Sequence, residues 1–163
     1  MDEGSATTRL RRIRRCKLLC LPLRHVIPAD HPKMVATTAA IAERLSAGGG
    51  LLYRYLPHVS PDGLTGREGA FLICSFWLVD NLAYQGRLDE AIDLFDSLCD
   101  RANALGLLPE QVDPSSGAFL GNFPQAFSHV GLISSAVNLT GLMKHNLNVT
   151  VQPSLTTRDC AHT

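Results

Sequence analysis

Gly69-Ala-Phe-Leu-Ile-Cys-Ser-Phe-Trp-Leu-Val-Asp-Asn-Leu-Ala-Tyr-Gln85 places apolar residues on nearly every side of a helical wheel, and Gly86-Arg87 follow it directly. A helix that is apolar all round is one buried all round, so this stretch predicts an inner helix closed by a very short turn. After the turn, Leu88, Ala91, Ile92, Phe95, Leu98, Cys99, Ala102 and Leu105 recur at helical spacing until Gly106. That pattern predicts an outer helix with a single apolar face.

Towards the C-terminus, residues 107–123 read as a long loop before a second mostly apolar helix. It is expected to start near Pro124 and to carry Phe127, Val130, Leu132, Ile133, Val137 and Leu139. Towards the N-terminus, Asp30 is placed to cap a helix with Pro32 in its first turn; Met34, Thr38, Ile41 and Leu45 share one face of it before Gly48-Gly-Gly50 stop it. A loop rich in Gly, Pro and polar groups then leads to the inner helix and includes Arg54, Asp62 and Glu68. Outer, loop, inner, tight turn, outer, loop, inner is the order of stacked αα-hairpins, an all-α fold. Both long loops lead into inner helices, so their polar groups are expected to converge on one rim.

Composition narrows the function. Fifteen basic residues balance fifteen acidic ones, so the chain as a whole has no electrostatic drive toward nucleic acid or an anionic membrane, and a neutral ligand is expected. The longest apolar run, Ala70 to Val79, is too short to span a bilayer, which takes about 20 residues, and no membrane partner is expected. After basic Arg9 to Arg15, the apolar run Leu18 to Leu23 is broken by Pro22 and too short for an export signal; a cytoplasmic location is expected. Five cysteines, Cys16, Cys20, Cys74, Cys99 and Cys160, show neither a Cys-x-x-Cys pair nor zinc spacing, so reduced thiols and no metal site are expected.

Few residues are candidates for chemistry. Glu110 follows apolar Leu107, Leu108 and Pro109, an arrangement that would hold a loop carboxylate against the body of the protein. Arg54, Asp62 and Glu68 read either as a guanidinium fork with carboxylate acceptors for vicinal hydroxyls or as ordinary surface charges. Phe76 and Trp77 read as core. His129 either faces the rim or is a satisfied interior histidine. Neither a phosphate-binding glycine loop nor a nucleophile elbow is present.

Taken together, Arg67-Glu-Gly-Ala-Phe-Leu-Ile-Cys-Ser-Phe-Trp-Leu-Val-Asp-Asn-Leu82, Gly86-Arg-Leu-Asp-Glu-Ala91, Gly106-Leu-Leu-Pro-Glu-Gln-Val-Asp113 and Leu120-Gly-Asn-Phe-Pro-Gln-Ala-Phe-Ser-His129 closely resemble glycoside hydrolase family 15, the glucoamylases and trehalases. Leu18-Leu-Cys-Leu-Pro-Leu23 and Pro28-Ala-Asp-His-Pro32 are similar to the segment preceding these motifs in that family. The resemblance covers about Leu18 to Leu139, within a domain set at residues 17–139. Residues 1–16 then form a basic extension, and 140–163 are expected to be a disordered tail.

The resemblance implies a partial (α/α)6 barrel, about five of its twelve helices, and inverting hydrolysis of α-glucosidic bonds without an organic cofactor. In that reaction one carboxylic acid protonates the leaving oxygen while a second carboxylate activates water. By resemblance Glu110 is the general base. Arg54 and Asp62 bind hydroxyls of the non-reducing glucose, Phe71 and Phe127 stand where relatives carry site-lining aromatics, and Gln111 helps to orient the base. Glu68 and His129 complete the expected substrate-binding set, with Asn122 and Gln125 as further polar lining.

The family's general acid, and an Arg-Asp pair that grips the first sugar, belong to an N-terminal half with no counterpart in this sequence. Losing an acid forfeits roughly 10² to 10⁴ in rate, so little activity on maltosaccharides, starch-like glucans or trehalose is expected. The inner-helix faces that missing hairpins would cover offer a surface for self-association or a complementing chain. Two alternatives remain, a weak carbohydrate-binding remnant and a non-enzymatic helical-hairpin interaction module. No 34-residue repeat supports the second.

Overall fold

A computed structural model of the chain describes residues 15–56 and 68–150, with side chains through His145. The predicted Asp62 and the extension before Arg15 lie outside the described residues. A 3-10 turn, Cys16–Leu19, runs into α1 (Cys20–Leu23); α2 spans Pro32–Arg44, α3 Leu72–Tyr84, α4 Leu88–Cys99 and α5 Ala126–Thr150. The expected alternation holds: α3 and α5 are inner helices, α2 and α4 outer ones, and the short Cys16–Leu23 segment is a further inner piece.

The inner character of α3 follows from its composition. Phe76, Leu72 and Val79 are wholly buried, and each such side chain contributes roughly 1.5–3 kcal/mol. The ring of Phe76 meets Phe95 of α4 edge-on at 6.2 Å. Asn81, also wholly buried, joins three layers. Its Nδ2 donates to the carbonyls of Leu19 (2.9 Å) and Trp77 (2.8 Å), while its Oδ1 accepts from Thr38 Oγ1 of α2 at 3.4 Å. In a buried amide so satisfied, the hydrogen bonds offset the cost of desolvation and fix the register of its neighbours.

Two boundaries differ from the sequence reading. The cap of α2 is His31, one residue after Asp30: its Nδ1 accepts the Lys33 N–H at 3.1 Å. The last helix does not stop at Leu139 but runs on to Thr150, so residues 140–150 are helical and not part of a disordered tail; 151–163 lie outside the described residues. The stretch Ala126–His145 is also long and apolar enough, by length and composition, to cross a membrane. Unbroken apolar runs do not reveal this length, because serines and His129 interrupt the helix.

The cysteines bring a further correction. The sulfurs of Cys16 and Cys74 are paired as a disulfide with Cα atoms 6.0 Å apart, the usual span. Widely separated cysteines show no pairing signal in sequence. Cys20 and Cys99 are free, and burial raises both thiols above their ordinary value, which makes them poor nucleophiles.

Short strands, absent from an all-helical reading, occupy the loops. Ser46–Gly48 (β1) and Leu51–Leu52 (β2) form a hairpin. Ala70–Phe71 (β3), Gln111–Val112 (β4) and Phe119–Leu120 (β5) form an antiparallel sheet in the order β3-β4-β5. This second sheet binds together the two segments that lead into α3 and α5.

Candidate active site

Glu110 immediately precedes β4 and is held from several directions. Its carbonyl accepts the Leu72 N–H at 3.2 Å, satisfying one of the unpaired donors at the start of α3. Ser128 Oγ, in the first turn of α5, donates to the Pro109 carbonyl at 2.7 Å. The beginnings of both inner helices therefore meet the Glu110 segment. Farther along, Ser135 Oγ bonds the Phe76 carbonyl (3.2 Å) and Asn138 Nδ2 bonds Asp80 Oδ1 (3.1 Å), so α3 and α5 run parallel, away from the site.

The carboxylate is half-buried at the rim of a cleft of about 590 Å³. Arg54, Phe71, Gln125 and Phe127 line the same rim, and Ile73, Trp77 and Val130 line the wall below. Trp77, expected in the core, packs against the core and also lines the cleft one turn after Ile73; Phe76 is core as expected. A helix buried on all but one narrow strip leaves no polar residue to mark that strip. Arg15, Lys17 and Arg24 line the side formed by the short inner segment, a local positive charge that the balanced composition conceals.

Arg54, on the lining of the same cleft, is clamped in place. Its Nη2 donates to Glu68 Oε1 at 2.6 Å and to the Tyr55 hydroxyl at 3.2 Å. The guanidinium lies 4.5 Å from the centroid of Phe71 and 4.9 Å from that of Tyr55, within cation–π range. Burial disfavours the cation, but the bonds to Tyr55 and Glu68 outweigh it and push the group above the ordinary arginine value. Glu68 Oε2 is buried and has no partner among the described residues.

The remaining predicted residues hold structure. Gln111 Oε1 accepts the Gly69 N–H at 2.7 Å, so this amide ties the two rim segments together instead of contacting Glu110. The Leu108 N–H donates to Nε2 of His129 (3.3 Å), and Nδ1 of the same ring bonds the Gln125 carbonyl (2.7 Å). Those partners require the ring proton on Nδ1, and they use both nitrogens on backbone groups. His129 is thus an interior histidine and not a rim residue.

Asn122, expected as further polar lining, contacts the carboxylate directly. Asn122 donates both its backbone N–H and its Nδ2 to Glu110 Oε2, each at 3.0 Å, and its carbonyl accepts the Glu110 N–H at 2.9 Å. A second cleft of about 640 Å³ lies between Pro22–Asp30 and Tyr84, Ser134 and Asn138; none of the predicted site residues lines it.

The family model for glycosyl hydrolases family 15 matches residues 6–137. The chain belongs to this family. Over 122 residues this family 15 chain is 44% identical to a trehalase of Mycolicibacterium smegmatis, covering 75% of the chain and 18% of that protein. A trehalase of Thermoplasma volcanium is 43% identical over 122 residues, again 75% of the chain and 19% of the relative. Among solved structures, one glycosidase variant superposes with a TM-score of 0.64 at 28% identity, over 78% of this chain and 36% of that one. Another, in complex with glucose, gives 0.58 at 28%, over 72% and 33%. The family 15 chain thus spans about a fifth of the trehalases it matches and about a third of those structures. Its fold is the helical-hairpin architecture of the family: among the described residues, three inner and two outer helical pieces of an (α/α)6 barrel.

Proposed function

We propose that this chain forms the general-base side of an inverting α-glucosidase site of the trehalase kind. The observation that carries this reading is Glu110: one oxygen is held by Asn122, and the other has no partner among the described residues, at the rim of a cleft that also presents Arg54, Phe71 and Phe127. A carboxylate with one oxygen fixed and the other open is suited to take a proton from water attacking an anomeric carbon. The Arg54 guanidinium, rigid on two rings and paired with Glu68, offers donors to vicinal hydroxyls of a glucosyl unit.

The described lining of the cleft contains no carboxylate besides Glu110. An alcohol leaving group needs a proton, whereas fluoride leaves without one. We therefore expect the purified chain to hydrolyse α-glucosyl fluoride but to turn over trehalose and maltose poorly, with Glu110→Gln abolishing fluoride release. The first-formed sugar is β-glucose, seen by NMR before mutarotation. Absence of Glu110-dependent fluoride release, or α-glucose as first product, would overturn the reading. Rapid turnover of trehalose by the chain alone would overturn the expectation of poor turnover.

A further inference from the structure

The segment Gly121-Asn122 sets which oxygen of Glu110 stays open and what keeps the carboxylate from rotating. The two donors of Asn122 reach the same oxygen, Oε2, from one residue, and its carbonyl returns the contact to the Glu110 N–H. Three hydrogen bonds between two residues twelve apart close a ring that defines the position of both the main chain and the carboxylate of Glu110. An oxygen accepting two N–H groups has used its in-plane lone pairs.

Gly121 makes this approach possible. Its φ is +71°, which a side chain adopts only with strain, and a Cβ there would lie 2.7 Å from Oε2 and 3.1 Å from the Glu110 Cβ. Only glycine lets the backbone come close enough for the next N–H to reach the carboxylate.

We propose that Asn122 is the positioning residue of the general base: by saturating Oε2 it assigns proton uptake to Oε1. This rests on the base reading above. Both protonation states are compatible with the clamp, because Oε2 still accepts from the two N–H groups when the proton sits on Oε1. The base can therefore gain and lose its proton without reorganising its support, a form of preorganisation.

Two measurements on the chain test this separately. In ¹H–¹⁵N NMR, the Asn122 backbone and side-chain N–H signals are expected to shift together in one pH transition, and Glu110→Gln is expected to remove that transition. In α-glucosyl fluoride hydrolysis, Asn122→Ala is expected to lower kcat about 10-fold, the effect of roughly one charge-assisted hydrogen bond, with KM within about twofold. Asn122→Ser, which can keep a donor near Oε2, is expected to recover part of the loss. Asn122 signals that ignore the Glu110 transition would overturn the clamp, whether or not the chain is active. A clamp present by NMR but an Asn122→Ala chain of unchanged kcat would overturn the positioning role. A wild-type chain inert on the fluoride removes the base reading and the role with it, while the NMR arm still reports on the contact.

Discussion

Gly69 donates its N–H to Oε1 of Gln111 at 2.7 Å, a side-chain bond added to the β3–β4 pairing that joins the segments entering the two inner helices. Removing the acceptor leaves a buried N–H unpaired, at a cost of about 1–3 kcal/mol. Gln111→Ala is therefore expected to lower stability by that order in urea unfolding, whereas Gln111→Glu, which keeps an acceptor, stays closer to wild type. If Gln111 served the base directly, the alanine variant would lose activity without losing stability.

Gly131 sits where α3 and α5 touch. A Cβ there would meet Ile73 Cδ1 at 2.9 Å and Phe76 Cβ and Cδ2 at 3.0 Å. Helix propensity favours alanine, but overpacking costs about 1–3 kcal/mol and exceeds that gain of about 1 kcal/mol. Gly131→Ala is expected to be destabilising in thermal unfolding, and a rise in Tm would show that the two helices separate freely.

Asp80 is buried on α3 and titrates above the ordinary carboxylate value, because burial penalises its charge more than the Asn138 and Ser135 bonds relieve it. The folded chain therefore keeps this proton to higher pH than the unfolded chain. Between the two values the native state binds more protons, so this group's contribution falls as pH rises through the window and stays low above it. Asp80→Asn is expected to be more stabilising, relative to wild type, at pH 7 than at pH 3.5 in urea titrations. The opposite trend would mean that the carboxylate is favoured as an anion.

The Cys16–Cys74 pair closes a loop of 58 residues between the short inner segment and α3. A crosslink over such a span stabilises by about 2–4 kcal/mol. Cys16→Ser is expected to lower Tm without reductant and to match the wild type with dithiothreitol present. Equal Tm values in both conditions would show that the bond contributes nothing.

Arg54→Lys keeps the charge but loses the planar stack on Phe71 and Tyr55. It is expected to raise KM for α-glucosyl fluoride about 10-fold, the effect of roughly one good polar contact, with little change in kcat. An unaffected KM would place Arg54 outside the sugar subsite.

The order of inner and outer helices is legible in the sequence, because burial on all sides and burial on one side leave different apolar periodicities. Ordered motifs that resemble a known family also single out Glu110, Arg54, Phe71 and Phe127 as site candidates. How these residues are supported depends on tertiary packing. Hydrogen bonds such as Asn122 to Glu110, Gln111 to Gly69 and His129 to Leu108 join segments whose separation leaves no local pattern. The same holds for Trp77: periodicity records that α3 is apolar on every side, but which side meets the cleft depends on how α5 and the Cys16–Leu23 segment pack around it.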